Sequence, residues 1–153
     1  MEVEQWEKQQ AAYRTADGFT DKSVKGMWFT FEGRLNRMRY FLRVLPVYLL
    51  MGAVYAITHH VVWLAVLYLP ILWSLLSLVS RRAHDLGREP PLFWIAVCLP
   101  VAAGVAGLHL HVGLGSAACM AVGAVSGLYL LFKHGTHGAN RYGLDPTEYP
   151  YDI

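Results

Sequence analysis

The sequence predicts an all-α integral membrane protein, a bundle of four helices with both termini in the cytoplasm. Three observations lead to this fold class. Hydrophobic residues make up 55% of the chain and charged residues 16%, whereas a soluble domain has about 25% charged residues. The charges are segregated, because four long apolar runs contain none of them. All thirteen lysines and arginines also fall on one side of the resulting four-helix topology.

The size and composition of the chain limit the alternatives. Its 153 residues are enough for one domain, and its mean hydropathy is +0.32. The formal charge of +2 is too small to indicate nucleic acid as a partner. Cys98 and Cys119 lie in apolar runs and are interpreted as small buried hydrophobic residues rather than a disulfide framework. The polar start of the chain predicts no cleaved signal peptide.

The N-terminal segment, residues 1–28, is polar. Trp6, Gln10 and Tyr13 recur at roughly helical spacing, and Asp17 with Gly18 ends that pattern. One interpretation is a loosely ordered cytoplasmic tail. The alternative is a helix that rests on the membrane surface through its aromatic residues.

A basic and aromatic segment, residues 29–43, precedes the first apolar run. Its arginines alternate with apolar side chains; they are Arg34, Arg37, Arg39 and Arg43. Arginine stems cover apolar surface while the guanidinium stays at the level of the lipid headgroups. Arg34 and Arg37 are three residues apart, which on a helix places them on one face. They either anchor and orient the helix or belong to a polar site.

The four apolar runs predict helices at about 40–58, 61–86, 91–108 and 112–132. A spanning helix needs about 20 residues. The second and fourth runs meet this length, and the first and third do so if their ends snorkel or the bilayer thins. His59 and His60 mark a tight turn between the first two helices. The predicted organisation is a polar N-terminal tail over 1–28, a transmembrane domain over 29–146 and a short C-terminal extension over 147–153.

The distribution of basic residues predicts the orientation. Eight lie before the first run, three lie in the 81–90 loop and two lie after the last run. The 59–60 and 109–111 loops contain none. The positive-inside rule therefore places both termini and the central loop in the cytoplasm.

Small residues recur on the third and fourth predicted helices and favour close helix packing. On the fourth helix they are spaced by four: Gly115, Cys119, Gly123 and Gly127. On the third helix a similar face contains Ala96, Pro100 and Gly104. We expect the two faces to meet within one hairpin; the alternative is that they face a second protomer.

A polar segment, residues 81–87, follows the second apolar run. If the helix continues to Leu86, Arg81 and Asp85 form an i,i+4 pair, and Gly87 is a natural C-terminal stop. His84 and Asp85 are adjacent, so they point about 100° apart on a helix. They are therefore not predicted to act together as a catalytic dyad.

The predicted topology brings this segment, the first basic segment and the C-terminal tail to the same cytoplasmic end. Arginine matches the geometry of phosphate and carboxylate groups, and anionic lipid headgroups are the nearest phosphates. The predicted binding site at this end contains Arg34, Arg37, Arg81, Arg82, His84, Asp85, Asn140, Arg141 and Asp145.

Three segments of the chain together resemble the signature of domain-of-unknown-function family 805, the small bacterial inner-membrane proteins with YhaH-like and YhaI-like members. The first runs from Phe31 to Tyr40 and is similar to F-x-G-R-x-x-R-x-x-Y-W, with Phe41 in place of tryptophan. The second runs from Arg81 to Gly87 and is similar to R-R-L-H-D-x-G, with Ala83 in place of leucine. The third, Gly138 to Pro146, is similar to G-x-N-R-Y-G-x-D-P.

One segment departs from the family pattern. The family usually has a Ser/Pro-Gly-Trp-Trp run after the second signature, and here Glu89-Pro90-Pro91-Leu92-Phe93-Trp94 follows it. The resemblance implies a protein of the bacterial inner membrane and implies no particular activity.

The sequence favours a non-catalytic protein of the inner membrane, with no catalytic residue and no cofactor. Its cytoplasmic arginines and Asp85 would hold anionic lipid headgroups or a partner's acidic segment. In another interpretation the signature segments only bind one another and close the end of the bundle. The alternatives in other classes are a small oligomeric transporter or channel and a membrane-embedded enzyme that uses His84.

The expected partners are the lipid bilayer, anionic headgroups and a second copy of the chain, and nucleic acid is not expected. Four histidines fall in the two predicted extracytoplasmic loops and are the candidates for a transition-metal site: His59, His60, His109 and His111. Their more frequent role at such positions is as polar residues of the membrane interface, so no metal site is predicted.

Overall fold

A computed structural model describes residues 28–58, 66–110, 113–138, 140–143 and 145–146. Within these residues the chain forms four helices: α1 (Arg37–Thr58), α2 (Tyr68–Asp85), α3 (Pro91–Leu110) and α4 (Gly113–Phe132). The only β pairing in this part of the chain is an isolated bridge between Asn140 and Gly143. The prediction of an all-α fold with four helices is confirmed. The two interpretations of the N-terminal tail concern residues 1–27, which lie outside the described residues.

Helix α1 begins three residues earlier than the predicted start at residue 40, because Asn36 caps its first turn. The Asn36 side-chain oxygen accepts a hydrogen bond from the Arg39 amide at 2.9 Å. This amide is one of the first four of the helix, which have no partner within it, and asparagine is among the preferred N-cap residues. Arg34 consequently lies before the helix, so the prediction that Arg34 and Arg37 share a helical face is wrong.

Helix α2 begins at Tyr68, directly after a single 3₁₀ turn at Val66 and Leu67, rather than at residue 61. Residues 61–65 lie outside the described part of the chain. The helix ends as predicted, because Gly87 adopts φ +68°. The amides of Gly87 and Arg88 donate to the carbonyls of His84 and Ala83 at 3.0 and 2.9 Å. This pair of bonds is a Schellman motif, and it satisfies carbonyls that the helix end leaves open.

The predicted contact between the small faces of α3 and α4 is confirmed at Gly123, which packs on Ala96 and Pro100, while the surroundings of Gly104 and Gly115 lie outside the described residues. A Cβ atom added at Gly123 would overlap the Pro100 ring and lie 3.4 Å from the Ala96 carbonyl oxygen. At Gly127, one turn further along α4, an added Cβ would meet nothing within 4 Å. The close approach is therefore local to Gly123.

Gly123→Ala is expected to destabilise the protein by about 1–3 kcal/mol, because the added methyl must push the Pro100 ring away. Gly127→Ala is the matched control, since it meets open space and brings a helix-propensity gain of up to about 1 kcal/mol. Thermal unfolding of both variants in mild detergent measures the difference. Equal shifts of Tm in the two variants would show that the helices do not approach closely at Gly123.

The surface of the helices is rich in large apolar side chains. Each helix exposes at least one of them by more than half: Leu49 on α1, Leu69 on α2, Ile95 on α3 and Val125 on α4. Among the described residues, one helix segment, Arg37–Ile57, is long and apolar enough to cross a membrane by length and composition.

The buried core is centred on α2. Leu75, Leu78 and Val79 of this helix have no exposed surface. The charged end of the same helix is buried too, since Arg82 is 0% exposed and Asp85 is 3% exposed. The polar end of α2 therefore points into the protein while apolar side chains lie outside, and this places the candidate site inside the fold.

Candidate functional site

The centre of the site is a cluster of three buried charges, Arg34, Arg82 and Asp85, which we call the arginine–aspartate cluster. Arg34 is 5% exposed and lies in the segment before α1, while Arg82 and Asp85 lie in the last turn of α2. The residues after α4, which we call the C-terminal tail (133–146), pack against both. The cluster thus joins three parts of the chain that are distant in sequence.

Asp85 is bound by both guanidinium groups. Arg34 donates from Nε and Nη2 to Oδ1 at 3.2 and 3.1 Å, and Arg82 donates from Nη1 to Oδ2. Burial raises the pKa of Asp85, and the charges of Arg82 and Arg34 act in the opposite direction. Two charge-assisted partners favour the ionised carboxylate. A buried ionised group of this kind requires such partners to be tolerated at all.

Arg82 also caps the C-terminus of α4. Its Nε donates to the Leu130 carbonyl at 2.7 Å, and its Nη2 donates to the Lys133 carbonyl. Its Nη1 is 3.4 Å from the Leu35 carbonyl. The last carbonyls of a helix have no partner within the helix, and the helix dipole favours a positive charge there. The Arg82 side chain therefore fixes the end of α4 to α2.

Arg34 fixes the C-terminal tail. Its Nη1 donates to the Gly138 carbonyl at 2.6 Å and to the Gly143 carbonyl at 3.3 Å. Its Nη2 donates to the Thr136 carbonyl at 2.5 Å, in addition to its bond with Asp85. All three nitrogens of this guanidinium are therefore engaged by acceptors of the protein.

The tail is also bound to the backbone of α2. The amide and hydroxyl of Thr136 donate to the Asp85 carbonyl at 2.8 and 3.0 Å. The Asn140 side-chain amide donates to the His84 carbonyl at 2.9 Å. Gly135 passes so close to the Asp85 carboxylate that a Cβ atom would overlap it. These contacts hold the tail across the end of α2.

A second carboxylate shapes the tail itself. Asp145 is 4% exposed, and its Oδ2 accepts a hydrogen bond from the Gly138 amide at 3.0 Å. The Tyr142 amide donates to the Asn140 side-chain oxygen at 2.9 Å. These bonds close the tail into a compact turn, which presents the Gly138 and Gly143 carbonyls to Arg34.

His84 stacks on the tail. Its ring lies 3.8 Å from the Tyr142 ring at an interplanar angle of 10°, and the Arg141 guanidinium lies 4.7 Å from the centroid of the Tyr142 ring. Burial lowers the pKa of His84, and the charges of Arg141 and Arg81 lower it further. The ring's Nδ1–H donates to the Gly33 carbonyl at 3.1 Å, and this hydrogen bond acts on the pKa of His84 in the opposite direction to burial.

The structure brings most of the predicted site residues together. Six of them contact one another or the same tail segment: Arg34, Arg82, His84, Asp85, Asn140 and Asp145. Arg141 lies at the exposed rim and pairs with Glu89 at 3.3 Å. Arg37 lies apart from the cluster, exposed, with its Nη1 3.1 Å from the His134 ring nitrogen.

The predicted pairing of Asp85 with Arg81 needs correction. The ion pairs that the structure shows for Asp85 are with Arg82, at i−3, and with Arg34. Arg81 is buried, and its carbonyl accepts the Leu35 amide at 3.1 Å. The adjacent residues His84 and Asp85 have different partners, as their separation on the helix predicts.

Several contributors to the site were missed at the sequence level. Leu130, Lys133 and Thr136 contribute through backbone carbonyls, which any residue supplies. Gly135 contributes through the absence of a side chain. A signal for its role is its position three residues after the end of α4, at the start of the polar segment that follows the last apolar run.

No group of three or more metal-ligating side chains occurs among the residues that the structure describes. The candidates His59, His60 and His111 lie outside those residues, and the side chain of His109 is likewise outside the described part.

The fold and the cluster define a class of small all-helical protein in which two buried arginines bind one aspartate. These contacts hold the segment before α1, the end of α2 and the C-terminal tail together. The chain belongs to the family described as "Protein of unknown function (DUF805)", whose model matches residues 28–144. The resemblance of the three signature segments is thereby confirmed. A search of curated proteins found no match, and a search of solved structures also found none.

Proposed function

We propose that the chain is a multi-pass protein of the bacterial inner membrane, with both termini in the cytoplasm and a non-catalytic structural or binding role at the cytoplasmic face. The observation that carries this proposal is the apolar surface of all four helices. Leu49, Leu69, Ile95 and Val125 are 61–68% exposed. Soluble monomers rarely expose contiguous apolar surface on this scale, whereas hydrocarbon is a favourable solvent for it.

The orientation follows from the basic residues. Helices α1 and α3 begin, and α2 and α4 end, at the same end of the bundle, where Arg37, Arg82, Arg88 and Lys133 are found. The positive-inside rule places this end in the cytoplasm. The paired arginines of the cluster are also buried within protein at this end, which avoids a charge facing lipid.

The arginines at the cytoplasmic end fall into two sets, a buried set that binds the protein itself and an exposed set that is available to a ligand. The guanidinium groups of Arg34 and Arg82 donate their hydrogen bonds to acceptors of the protein. These bonds support the interpretation in which the signature segments bind one another. Arg37, Arg88 and Arg141 are the exposed arginines of the described residues at this end, and the two that belong to the predicted site, Arg37 and Arg141, offer their surface to an anionic headgroup or an acidic partner. The arginine–aspartate cluster therefore closes the cytoplasmic end of the bundle, and the exposed arginines at its rim bind the anionic headgroup or acidic partner.

Reporter fusions test this topology in cells. We expect a fluorescent protein fused at the C-terminus to fluoresce and alkaline phosphatase fused there to be inactive. Phosphatase inserted between His59 and His60 is expected to be active, because that loop would face the periplasm. The protein is also expected to stay in the membrane pellet after carbonate extraction. Release by carbonate, or an active phosphatase at the C-terminus, would contradict the proposal.

A further inference from the structure

We propose that a groove on the side of the bundle binds one anionic phospholipid of the cytoplasmic leaflet, with an acyl chain in the groove and the phosphate on Arg37. This inference rests on the membrane location proposed above and names the ligand of the rim. The groove has a volume of about 650 Å³ and is lined mainly by apolar side chains. Its two long walls are α1, through Val44 and Met51, and α4, through Leu128 and Leu131.

Two glycines make the groove deep. Gly52 of α1 and Gly127 of α4 both line it, and a Cβ atom added at either would meet nothing within 4 Å. On α1 the lining runs from Tyr40 to Tyr55, roughly 22 Å at 1.5 Å per residue. This exceeds the ~15 Å of hydrocarbon in one leaflet. An acyl chain has the length and the apolar surface that such a groove accommodates.

The cytoplasmic end of the groove carries positive charge. Arg37 lies one turn before Tyr40 and Phe41 on the same face of α1, and His134 follows Leu131 by three residues. The two are joined by a contact of 3.1 Å between Arg37 Nη1 and His134 Nε2.

This end is able to hold a phosphate. Within the described part of the chain, that contact with His134 is the one hydrogen bond of the Arg37 guanidinium, so the fork retains donors that match a phosphate. Lys133, the first residue after α4, is exposed and adds a second positive charge to this end of the bundle. The groove therefore combines an apolar slot with an anion site at its cytoplasmic mouth.

Charge also decides between a lipid and a second copy of this chain. Two copies in one membrane share one orientation, so docking through this groove would place their basic ends side by side. Arg37 and Lys133 of both copies would then repel one another. An anionic lipid meets the same charges with an opposite one, and the observations therefore favour the lipid.

Native mass spectrometry tests the proposal with the full chain in mild detergent, using added phosphatidylglycerol and phosphatidylcholine as probes. The wild-type protein is expected to retain phosphatidylglycerol about fivefold more than phosphatidylcholine, the preference that one arginine near a lipid headgroup confers. Arg37→Gln is expected to abolish this preference while lipid of either kind is still retained. Gly127→Leu fills the groove and is expected to remove retention of both lipids.

Two controls match these variants. Arg88→Gln removes an exposed positive charge at the same end of the bundle from a residue that does not line the groove, and Ala121→Leu adds similar bulk on the exposed side of α4. Both are expected to bind lipid as the wild type does. If Gly127→Leu does not fold, Gly52→Leu fills the groove from the opposite wall.

Three results would overturn the proposal. The first is equal retention of the two lipids by the wild type, and the second is undiminished lipid retention after the groove is filled. The third is a wild-type dimer that dissociates only in the variants with a filled groove. If the topology test succeeds and one of these three results is found, only the lipid-binding proposal fails. A protein that carbonate releases from the membrane has lost the membrane location as well.

Discussion

Arg82→Ala is expected to lower the free energy of unfolding by about 3–5 kcal/mol, the cost of removing one member of a buried ion pair. The variant leaves Asp85 with Arg34 as its remaining guanidinium partner and leaves the Leu130 and Lys133 carbonyls at the end of α4 without their donor. Each lost partner leaves a buried polar atom unsatisfied. Denaturation by sodium dodecyl sulfate in mixed micelles, followed by circular dichroism, measures the loss.

Arg82→Lys is expected to recover little of this stability. The guanidinium reaches two helix-end carbonyls and one carboxylate from three different nitrogens, whereas an ammonium is a single point charge. Arg141→Ala is the matched control, because its ion pair with Glu89 is exposed and is worth about 0–1 kcal/mol. If Arg82→Ala and Arg141→Ala lose similar stability, Arg82 does not hold the end of α4.

Asp85→Asn is expected to cost a similar amount, about 3–5 kcal/mol, because it leaves two buried guanidinium groups without their counter-ion. The side chain keeps its size, and the backbone bonds from Thr136 to residue 85 are unchanged in kind. The loss of unfolding free energy therefore measures the contribution of the carboxylate charge. Hydrogen exchange over residues 133–146 measures a second effect, since the tail is held through Arg34 and is expected to exchange faster in the variant.

Glu89→Gln serves as the control for this variant, because it neutralises a carboxylate of an exposed ion pair. We expect its unfolding free energy and its tail exchange to match the wild type. An Asp85→Asn protein with wild-type stability would show that the two arginines do not need the aspartate charge in the folded state.

The number and order of the helices follow from the sequence because their signal is long and local. Each apolar run and its flanking charges can be read in order, and Gly87 ends α2 for a reason visible in the residue itself. The start of α1 was placed late because apolar residues alone do not mark a helix start. The signal was Asn36, whose side chain caps the first turn.

The pairing within the cluster did not follow from the sequence, because it depends on the path of the segment before α1. Spacing along a helix made Arg81 the natural partner of Asp85, yet the chain before Arg37 is not helical and brings Arg34 in from the side. Helical periodicity carries no information about such a contact. The predicted four-helix topology indicates that these residues converge at one end of the bundle, and only the fold specifies which of them pair.

Most of the remaining acceptors of Arg34 and Arg82 are backbone carbonyls, and this explains why residue types do not reveal them. Leu130 and Gly138 are bound through main-chain oxygen atoms, so their side chains carry no trace of the role, whereas Thr136 also accepts from Arg34 through its hydroxyl. The donors are visible in the sequence, because arginines that are buried next to a helix end require acceptors. Free carbonyls at a helix C-terminus are the nearest supply.

The central claim is that the three signature segments form one buried network around Asp85. A double-mutant cycle with Arg34→Ala, Asp85→Asn and the double variant tests it most directly, because the two residues are 51 positions apart in sequence. We expect a coupling energy of about 1–3 kcal/mol between Arg34 and Asp85. Losses that add to within about 0.5 kcal/mol would contradict it.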